Sequence, residues 1–296
     1  MNINIPLPDR KTNFLLSLVG GVSVCIILLV FLSASAIPKP SPPPYPPLLT
    51  LDPSHITAKS AILYDPADGR ILFEKDADEQ RPLASLTKLM AAAAVLSSID
   101  QDNIVSITSS DLKPEGDSHF IVGEKWKMSQ LLKFGIVASS NDAMEAAAAN
   151  AGENIITAMN RTAGALQLTH TYFINPTGLD ETDSTSGAYG SARDVAVLAA
   201  AFLRAYPELL EATARPKISI VSQNHTLTAT STATPLQSIP GFIGAKTGYT
   251  DLAGGNLVAA FDLDVGHPVI VAVLGSTREG RFNDILTIIE ALRAQQ

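Results

Sequence analysis

The chain has 296 residues, of which 46% are hydrophobic and 17% charged, and its formal net charge is -8. A chain of this length and composition can bury a sizeable core, so we expect a globular body. The acidic balance and the lack of a basic stripe argue against a nucleic acid partner. The single cysteine, Cys25, excludes an internal disulfide, a cysteine-based zinc site and a thiol nucleophile in the body.

The first predicted element is an apolar segment near the N-terminus. Residues 14–37 contain no charged side chain and are long enough to cross a bilayer as a helix. Arg10 and Lys11 precede the segment and favour a cytoplasmic location for the tail, residues 1–13. We therefore expect a single-pass transmembrane signal anchor in the cell membrane and a body on the extracytoplasmic side.

Two alternatives for this segment remain open, and both export the protein. The motif Ala34-Ser35-Ala36 is typical of a signal peptide cleavage site, although the apolar run is longer than in most cleaved signals. Lipid modification of Cys25 is the other alternative, although Val22-Ser23-Val24 lacks the small residue that such processing needs. Residues 38–50 follow as a linker, in which the proline-rich stretch 38–47 favours a stiff polyproline II spacer.

The body, residues 51–296, begins with a predicted β-hairpin. Its strands, 61–65 and 70–74, flank a Pro-Ala-Asp-Gly turn. A helix rich in strong helix formers is expected at 86–96. Helical patterns then dominate the middle of the chain, and strand patterns return before a last helix. The further helices are predicted at 129–134, 142–151, 153–166, 191–206 and 282–293, and the further strands at 218–221, 241–247, 256–261 and 269–274.

This order of elements predicts an α/β (α+β) fold. Strands at both ends of the body can form one antiparallel sheet flanked by helices, while the middle of the chain forms an inserted helical lobe. Such an arrangement leaves a cleft between the sheet and the helical lobe. We expect any functional residues on the facing elements to meet there.

Three short motifs occur in the order that one class of serine acyl-transfer enzymes uses. They are S-x-x-K at Ser85 to Lys88, S-x-N at Ser139 to Asn141 and K-T-G at Lys246 to Gly248. Each pattern is weak alone, because Ser110 to Lys113 also fits the first and Ser222 to Asn224 also fits the second. The local context therefore has to decide between the copies.

The context favours the first copy of S-x-x-K. Ser85 opens the predicted apolar helix, so its hydroxyl and the amine of Lys88 lie one turn apart on the same face, near the positive end of the helix dipole. Lys113 is followed at once by Pro114, which ends any helix that could organise it with Ser110. We therefore expect Ser110 and Lys113 to be turn residues on the surface.

The context also favours Ser139 over Ser222, because residues 139–141 directly precede the predicted helix that begins near Asp142 in the helical lobe, whereas residues 222–224 end a strand. The K-T-G motif occupies the predicted strand that begins at Gly241. Lys246 and Thr247 on this strand suit the binding of a carboxylate on an extended peptide, and a glycine at 248 lets another backbone approach closely. The three motifs therefore predict one shared site in the cleft.

With these motifs in place, the body resembles the low-molecular-mass penicillin-binding proteins of the serine D-alanyl-D-alanine carboxypeptidase type, over about residues 52–292. The likeness extends to the stretches LYDPADGRILFEKDADEQRPLASLTKLM, FINPTGLD, SARDVAVLA, GAKTGYTDLAGGNLVAAF and VAVLGSTREGRFND. It implies the fold of penicillin-binding proteins and β-lactamases. It also implies action on peptidoglycan stem peptides that end in D-Ala-D-Ala, with β-lactam antibiotics as covalent inhibitors.

The resemblance implies catalytic roles for three residues. Ser85 attacks the D-Ala-D-Ala carbonyl, Lys88 takes its proton, and Ser139 relays a proton to the leaving amine. The backbone N–H groups of Ser85 and Tyr249 form the oxyanion hole, in which one donor is worth roughly 3 to 4 kcal/mol in the transition state. These assignments agree with the geometry that the helix pattern predicts for Ser85 and Lys88.

The resemblance implies substrate-binding roles for further residues. Asn141 positions the base and the substrate amide. The strand that carries Lys246, Thr247 and Gly248 binds the extended peptide and its terminal carboxylate. Arg281, in the stretch GRFND, matches the family's arginine that helps to hold the same carboxylate.

Three other functions remain open. A β-lactamase on the same scaffold needs a carboxylate that activates water, and the acids available after the FINPTGL stretch are Asp180, Glu181 and Asp183, which we interpret as turn and capping residues. A D,D-endopeptidase that cleaves cross-linked peptides needs the same catalytic residues and differs in the shape of the cleft. A non-catalytic wall-binding protein is the alternative from another class.

The sequence predicts neither a metal nor another cofactor. Its histidines are scattered and form no H-E-x-x-H pair, and no base for a Ser-His-Asp triad is evident. The glycine pair Gly254-Gly255 lacks the pattern of a phosphate-binding loop. We therefore interpret the five histidines as surface or structural residues: His55, His119, His170, His225 and His267.

Overall fold

The computed structural model describes residues 48–113, 119–264 and 266–295, which belong to one compact unit. The predicted cytoplasmic tail, the signal anchor and nearly all of the proline-rich linker lie outside these residues. Within the described ranges, no helix has both the length and the apolarity that crossing a bilayer requires.

Strands occur at both ends of the described body and in short pairs between them. We number them in chain order: β1 Ser60–Asp65, β2 Arg70–Lys75, β3 Arg81–Pro82, β4 Ile104–Ser106, β5 Lys125–Lys127, β6 Tyr172–Phe173, β7 Ala188–Gly190, β8 Lys217–Val221, β9 Thr226–Thr230, β10 Phe242–Thr250, β11 Gly254–Asp262 and β12 Pro268–Ser276. Helices fill the middle and close the chain: α1 Thr87–Ser98, α2 Met128–Val137, α3 Asn141–Ala149, α4 Ile155–Ala165, α5 Ala192–Ala205, α6 Pro207–Glu211 and α7 Gly280–Arg293.

A five-stranded antiparallel sheet joins the two ends of the body, with the strand order β10-β11-β12-β1-β2. Side chains alternate between its faces, as the pleat requires. Ile270 and Ala272 on β12 pack into the cluster that contains α5, whereas Val271 and Val273 pack into the cluster that contains α7. Both faces are therefore covered, which explains why the central strands read as almost continuous apolar runs. This sheet confirms the predicted fold class.

The helical lobe is built around α1, in which eight of twelve residues are buried. Three of its four alanines, Ala91, Ala92 and Ala94, have no exposed surface, so the neighbouring helices α3 and α4 can approach closely. A helix that is buried on most sides has a weak amphipathic pattern, and this one is accordingly apolar along nearly its whole length. The lobe thereby holds the N-terminal end of α1 firmly beside the sheet.

Most predicted elements are confirmed, and their ends differ by a few residues. Ser191 caps α5 as predicted, because its side chain accepts a hydrogen bond from the backbone N–H of Asp194. Ser85 is an exception, since it lies in a 3-10 turn, Ala84–Leu86, directly before α1 rather than in the helix itself. The sequence patterns missed β9 and the short sheet β3-β7-β6, whose strands are polar or only two to three residues long.

Candidate active site

Ser85 lies where the chain enters α1, and the turn that carries it is strained. Ala84 has a φ of 48°, in the left-handed region that residues with a side chain rarely adopt. The turn is held from behind by Gly178, whose own φ is +78°. A Cβ atom on that glycine would lie 1.9 Å from the carbonyl oxygen of Ala84. The absence of a side chain at 178 therefore allows the contact that supports the nucleophile turn.

Lys88 is fully buried and its amine has three oxygen neighbours. Its Nζ atom lies 2.8 Å from Ser85 Oγ, 2.7 Å from Asn141 Oδ1 and 2.8 Å from the backbone oxygen of Thr177. The helical spacing of three residues places the amine and the hydroxyl on one face, as the sequence predicted. Contacts from the helical lobe and from the loop around Thr177 then fix the position of the amine.

The S-x-N motif spans the junction between α2 and α3. Ser140 caps α3, because its hydroxyl accepts a hydrogen bond from the backbone N–H of Ala143 at 3.1 Å. Ser139 has a left-handed φ of 62°, a strained conformation that turns the chain between the two helices. As a result Ser139 and Asn141 both line the cleft, while Ser140 is buried.

Lys246 on β10 is completely buried and reaches the helical lobe. Its Nζ atom donates a hydrogen bond to Ser139 Oγ at 2.7 Å and to the backbone oxygen of Thr247 at 2.8 Å. Burial, together with the positive charges of Lys88 and Arg281, holds the pKa of Lys246 well below its ordinary value. The amine of Lys246 is therefore more easily deprotonated than a lysine amine in solvent.

The rest of the K-T-G strand lies against the nucleophile turn. Thr247 Oγ1 donates a hydrogen bond to Thr232 Oγ1 at 2.7 Å, and both residues line the cleft. A Cβ atom at Gly248 would come within 3.0 Å of the Leu83 carbonyl oxygen and 3.1 Å of the Ser85 backbone nitrogen. The glycine thus allows a close backbone approach, and the backbone that approaches is that of the chain's own nucleophile turn.

Arg281 begins α7 beneath the same strand and is almost fully buried. Its Nη1 atom donates a hydrogen bond to the Gly248 carbonyl oxygen at 2.6 Å. Its Nε atom is buried without a hydrogen-bond partner among the described residues. Burial, followed by the charge of Arg278, lowers the pKa of Arg281 to about 10. The guanidinium adds positive charge to the end of the cleft that holds Lys246.

All nine predicted site residues lie in or directly behind one cleft of about 1080 Å³. Seven of them line it, and Lys88 and Lys246 are buried behind it. The competing copies of the motifs lie elsewhere. Ser110 lies in an exposed turn and Lys113 is exposed, while the Ser222 hydroxyl binds the backbone of His225 in the connection between β8 and β9. The arrangement provides a hydroxyl next to one amine and a second amine next to a second hydroxyl.

Residues 48–278 match the sequence profile of the D-alanyl-D-alanine carboxypeptidase family. The chain belongs to this family. A D-alanyl-D-alanine carboxypeptidase of Bacillus subtilis is 31% identical over 211 residues, which are 65% of this chain and 51% of that relative. This chain therefore spans about half the length of the Bacillus protein.

Two further relatives extend the comparison. A D-alanyl-D-alanine endopeptidase of Pseudomonas aeruginosa is 31% identical over 242 residues, which are 79% of this chain and 76% of that protein. Among solved structures, a penicillin-binding protein of Listeria monocytogenes in its cefotaxime-bound form is similar with a TM-score of 0.71 and 30% sequence identity. The similarity covers 80% of this chain and 98% of the Listeria chain. Family members with two different named activities therefore share this scaffold.

Sequence reasoning missed several residues of the carboxypeptidase-like cleft. The backbone carbonyl of Thr177 accepts a hydrogen bond from Lys88, and a pattern of side chains cannot predict such a contact. Thr232, the partner of Thr247, lies in a polar stretch without a motif. Arg278 stacks on the ring of Tyr249, with its Cζ atom 3.9 Å from the ring centroid. The FINPTGLD stretch could have indicated a role for the loop around Thr177, because its glycine predicts a turn.

The acids of the 180–183 loop line the cleft, and two of them have structural partners. Asp180 accepts hydrogen bonds from Thr250 Oγ1 at 3.0 Å and from the Leu252 backbone N–H at 3.3 Å. Glu181 accepts one from Asn175 Nδ2 at 2.6 Å. These contacts tie the loop to itself and to the end of β10, which agrees with their interpretation as turn and capping residues.

Proposed function

We propose that this chain is a serine D-alanyl-D-alanine carboxypeptidase, which removes the terminal D-Ala from peptidoglycan stem peptides through an acyl-enzyme on Ser85. The observation that carries the proposal is the 2.8 Å contact between Lys88 Nζ and Ser85 Oγ at the cleft. Membership of the D-alanyl-D-alanine carboxypeptidase family supports the reaction class. The cefotaxime-bound form of the Listeria relative supports β-lactam binding, and we propose that the antibiotic reacts with Ser85.

The contacts of Lys88 suit a general base. A neutral lysine amine has two N–H donors and one lone pair. Asn141 Oδ1 and the Thr177 carbonyl can each accept one N–H, and the lone pair can accept the hydroxyl proton of Ser85 at 2.8 Å. The amine is thus oriented before substrate binds, and such preorganised proton transfer typically contributes a factor of about 10² to 10⁴.

Acylation then follows in balanced steps. The Ser85 oxygen attacks the carbonyl carbon of the penultimate D-Ala while Lys88 takes the hydroxyl proton. The C–N bond of the tetrahedral intermediate breaks, and the leaving amine of the terminal D-Ala takes a proton from Ser139 Oγ. Lys246, which lies 2.7 Å from this oxygen, is placed to replace that proton. Water later attacks the ester carbonyl, the C–O bond to Ser85 breaks, and Lys88 returns its proton to the serine oxygen. The proton that the attacking water loses restores the amine of Lys246.

The K-T-G strand and Arg281 suit the recognition of the substrate. β10 is the edge strand of the sheet, so an extended peptide can pair with its free backbone groups. The amine of Lys246 and the guanidinium of Arg281, with the hydroxyl of Thr247, form the end of the cleft that receives the terminal carboxylate. The backbone N–H groups of Ser85 and Tyr249 are the proposed oxyanion donors, and Gly248 lets the two segments lie close together.

A D,D-endopeptidase is the second candidate function, and the 31% identical Pseudomonas endopeptidase favours keeping it. Both reactions use the same catalytic groups. They differ in the amine that leaves when the acyl-enzyme forms, which is D-alanine in one reaction and a cross-linked peptide in the other. For the location, we propose that the body acts on the outer side of the cell membrane. The uncharged segment 14–37 and the preceding Arg10 and Lys11 support an N-terminal anchor.

The test combines labelling with product analysis. A fluorescent penicillin is expected to label the wild-type protein at Ser85 and to leave Ser85→Ala unlabelled, with the modified peptide identified by mass spectrometry. Ser110→Ala, in the competing motif on the surface, is the matched control and should label normally. Release of free D-alanine from a pentapeptide, compared with cleavage of a cross-linked dimer, then separates the exo from the endo reaction. Labelling of a serine other than Ser85 would refute the proposed mechanism.

A further inference from the structure

A second arginine lies at the mouth of the cleft, outside the proposed catalytic machinery. Arg278 is exposed, lines the cleft and stacks its guanidinium on the ring of Tyr249 at 3.9 Å. Tyr249 is itself 38% exposed, although it belongs to the K-T-G strand. The guanidinium of Arg278 and the ring of Tyr249 therefore form a flat, stacked pair at the entrance of the cleft.

The position of Arg278 is set by the packing of its loop. Tyr249 on β10 pairs with Gly255 on β11. A Cβ atom at Gly255 would lie 2.0 Å from the Thr277 carbonyl oxygen, so the missing side chain lets the 277–279 loop cross the strand there. Thr277 Oγ1 also accepts a hydrogen bond from the Gly280 backbone N–H at 2.8 Å. The loop is therefore anchored, and it places Arg278 over the tyrosine ring.

The hydrogen-bonding capacity of Arg278 is unused. Among the described residues its guanidinium has no hydrogen bond and no ion pair, although it carries five N–H donors in a planar fork. Stacking on a ring restricts the side chain without occupying those donors, so less freedom is lost when an anion binds. Arg281 lies near enough to Arg278 for the two charges to interact, and the neighbouring Glu279 opposes that interaction.

The direction of the bound peptide suggests which anion this is. In the proposed binding mode the terminal carboxylate lies at Lys246 and Thr247. Tyr249 is two residues further along the edge strand than Thr247, a distance of about 7 Å. A peptide that pairs antiparallel with β10 therefore brings the residues that precede D-Ala-D-Ala toward Tyr249 and Arg278. A second carboxylate, on the side chain of the preceding residue, would meet the free guanidinium fork.

We propose that Arg278, supported by Tyr249, is a specificity-determining residue that binds a free side-chain carboxylate on the residue before D-Ala-D-Ala. The inference rests on the carboxypeptidase function proposed above. It predicts a preference for stem peptides whose third residue is a diamino acid with a free carboxylate. Stems in which this carboxylate is amidated, or in which lysine takes the position, lack the group that the arginine recognises.

The experiment compares two pentapeptides that differ only in the third residue, diaminopimelate in one and its side-chain carboxamide in the other. D-Alanine release gives kcat/KM for each peptide, and the ratio of the two values is the readout. The wild-type protein is expected to favour the carboxylate peptide by about tenfold, as one charge-assisted hydrogen-bond pair allows. Arg278→Gln should bring the ratio to within about twofold of one, and Arg278→Lys should give an intermediate ratio because it keeps the charge without the fork.

Arg204→Gln is the matched control, since Arg204 is also exposed but lines a separate apolar groove beside Leu203 and Pro268. Its ratio should equal that of the wild type. A wild-type ratio near one, an unchanged ratio in Arg278→Gln, or an equal fall in Arg204→Gln overturns the role of Arg278 while leaving the carboxypeptidase function standing. Failure of the wild type to release D-alanine from either peptide overturns both.

Discussion

The contact between Gly178 and the nucleophile turn yields a quantitative prediction for Gly178→Ala. The glycine has a φ of +78°, and an added Cβ would lie 1.9 Å from the Ala84 carbonyl oxygen, where at least 3.0 Å is needed. The substitution therefore has two costs. The left-handed backbone alone costs roughly 1 to 2 kcal/mol with a side chain present. Opening the contact by about 1 Å in a packed region costs roughly another 1 to 3 kcal/mol.

The same displacement should impair acylation. The residue before Gly178 supplies the carbonyl that binds Lys88, and Ala84 directly precedes Ser85. A misplacement of reacting groups by about 1 Å typically costs about 100-fold in rate. We therefore expect Gly178→Ala to be labelled by a fluorescent penicillin about 100-fold more slowly than the wild type, at a temperature where both proteins are folded.

Gly152 is a control that separates the cost of a left-handed backbone from the cost of the steric clash. Gly152 has a nearly identical φ of +76°, but a Cβ there would have nothing within 4 Å. Gly152→Ala should lose only the strain energy in urea unfolding, roughly 1 to 2 kcal/mol, and should be acylated at the wild-type rate. The explanation is refuted if the two variants lose equal stability and Gly178→Ala is acylated as fast as Gly152→Ala.

Three further predictions concern charged groups of the site. Lys88→Ala should slow penicillin acylation by about 10² to 10⁴-fold. Lys88→Arg should be equally slow, because a guanidinium stays protonated. Wild-type rates in either variant would exclude Lys88 as the base. Lys246→Ala should raise KM for D-alanine release and also lower kcat, because the amine holds the carboxylate and returns the proton to Ser139. An unchanged KM would contradict its role in holding the carboxylate. Burial raises the pKa of Glu145, opposed by Lys88 and reinforced by Asp111, so the ionised form is disfavoured in the folded state. Because the pKa of Glu145 in the folded state lies above the ordinary value of 4.5, the free energy of unfolding falls as the pH rises from below 4.5 to above the folded-state pKa. Glu145→Gln should therefore unfold at a higher urea concentration than the wild type at pH 7, but not at pH 4. Equal shifts of the urea midpoint at both pH values would contradict this explanation.

The sequence by itself determined the order of the motifs and the class of the fold. Helical spacing placed Lys88 one turn after Ser85, and a proline after Lys113 excluded the competing pair. Apolar strands at both ends of the body predicted one sheet, because each needs a partner to cover its faces and satisfy its backbone. These conclusions depend on local periodicity and on residue chemistry, which a sequence carries directly.

Only the tertiary structure decided how the parts of the site meet. Lys246 reaches Ser139 across 107 residues of chain, and Lys88 meets a backbone carbonyl 89 residues away. The stacking of Arg278 on Tyr249 likewise depends on a glycine in the neighbouring strand. Such contacts follow from the packing of the helical lobe against the sheet, and a backbone carbonyl has no side-chain identity that a motif could record. The left-handed turns at Ala84 and Ser139 are held by the same packing, since neither residue type favours that conformation on its own.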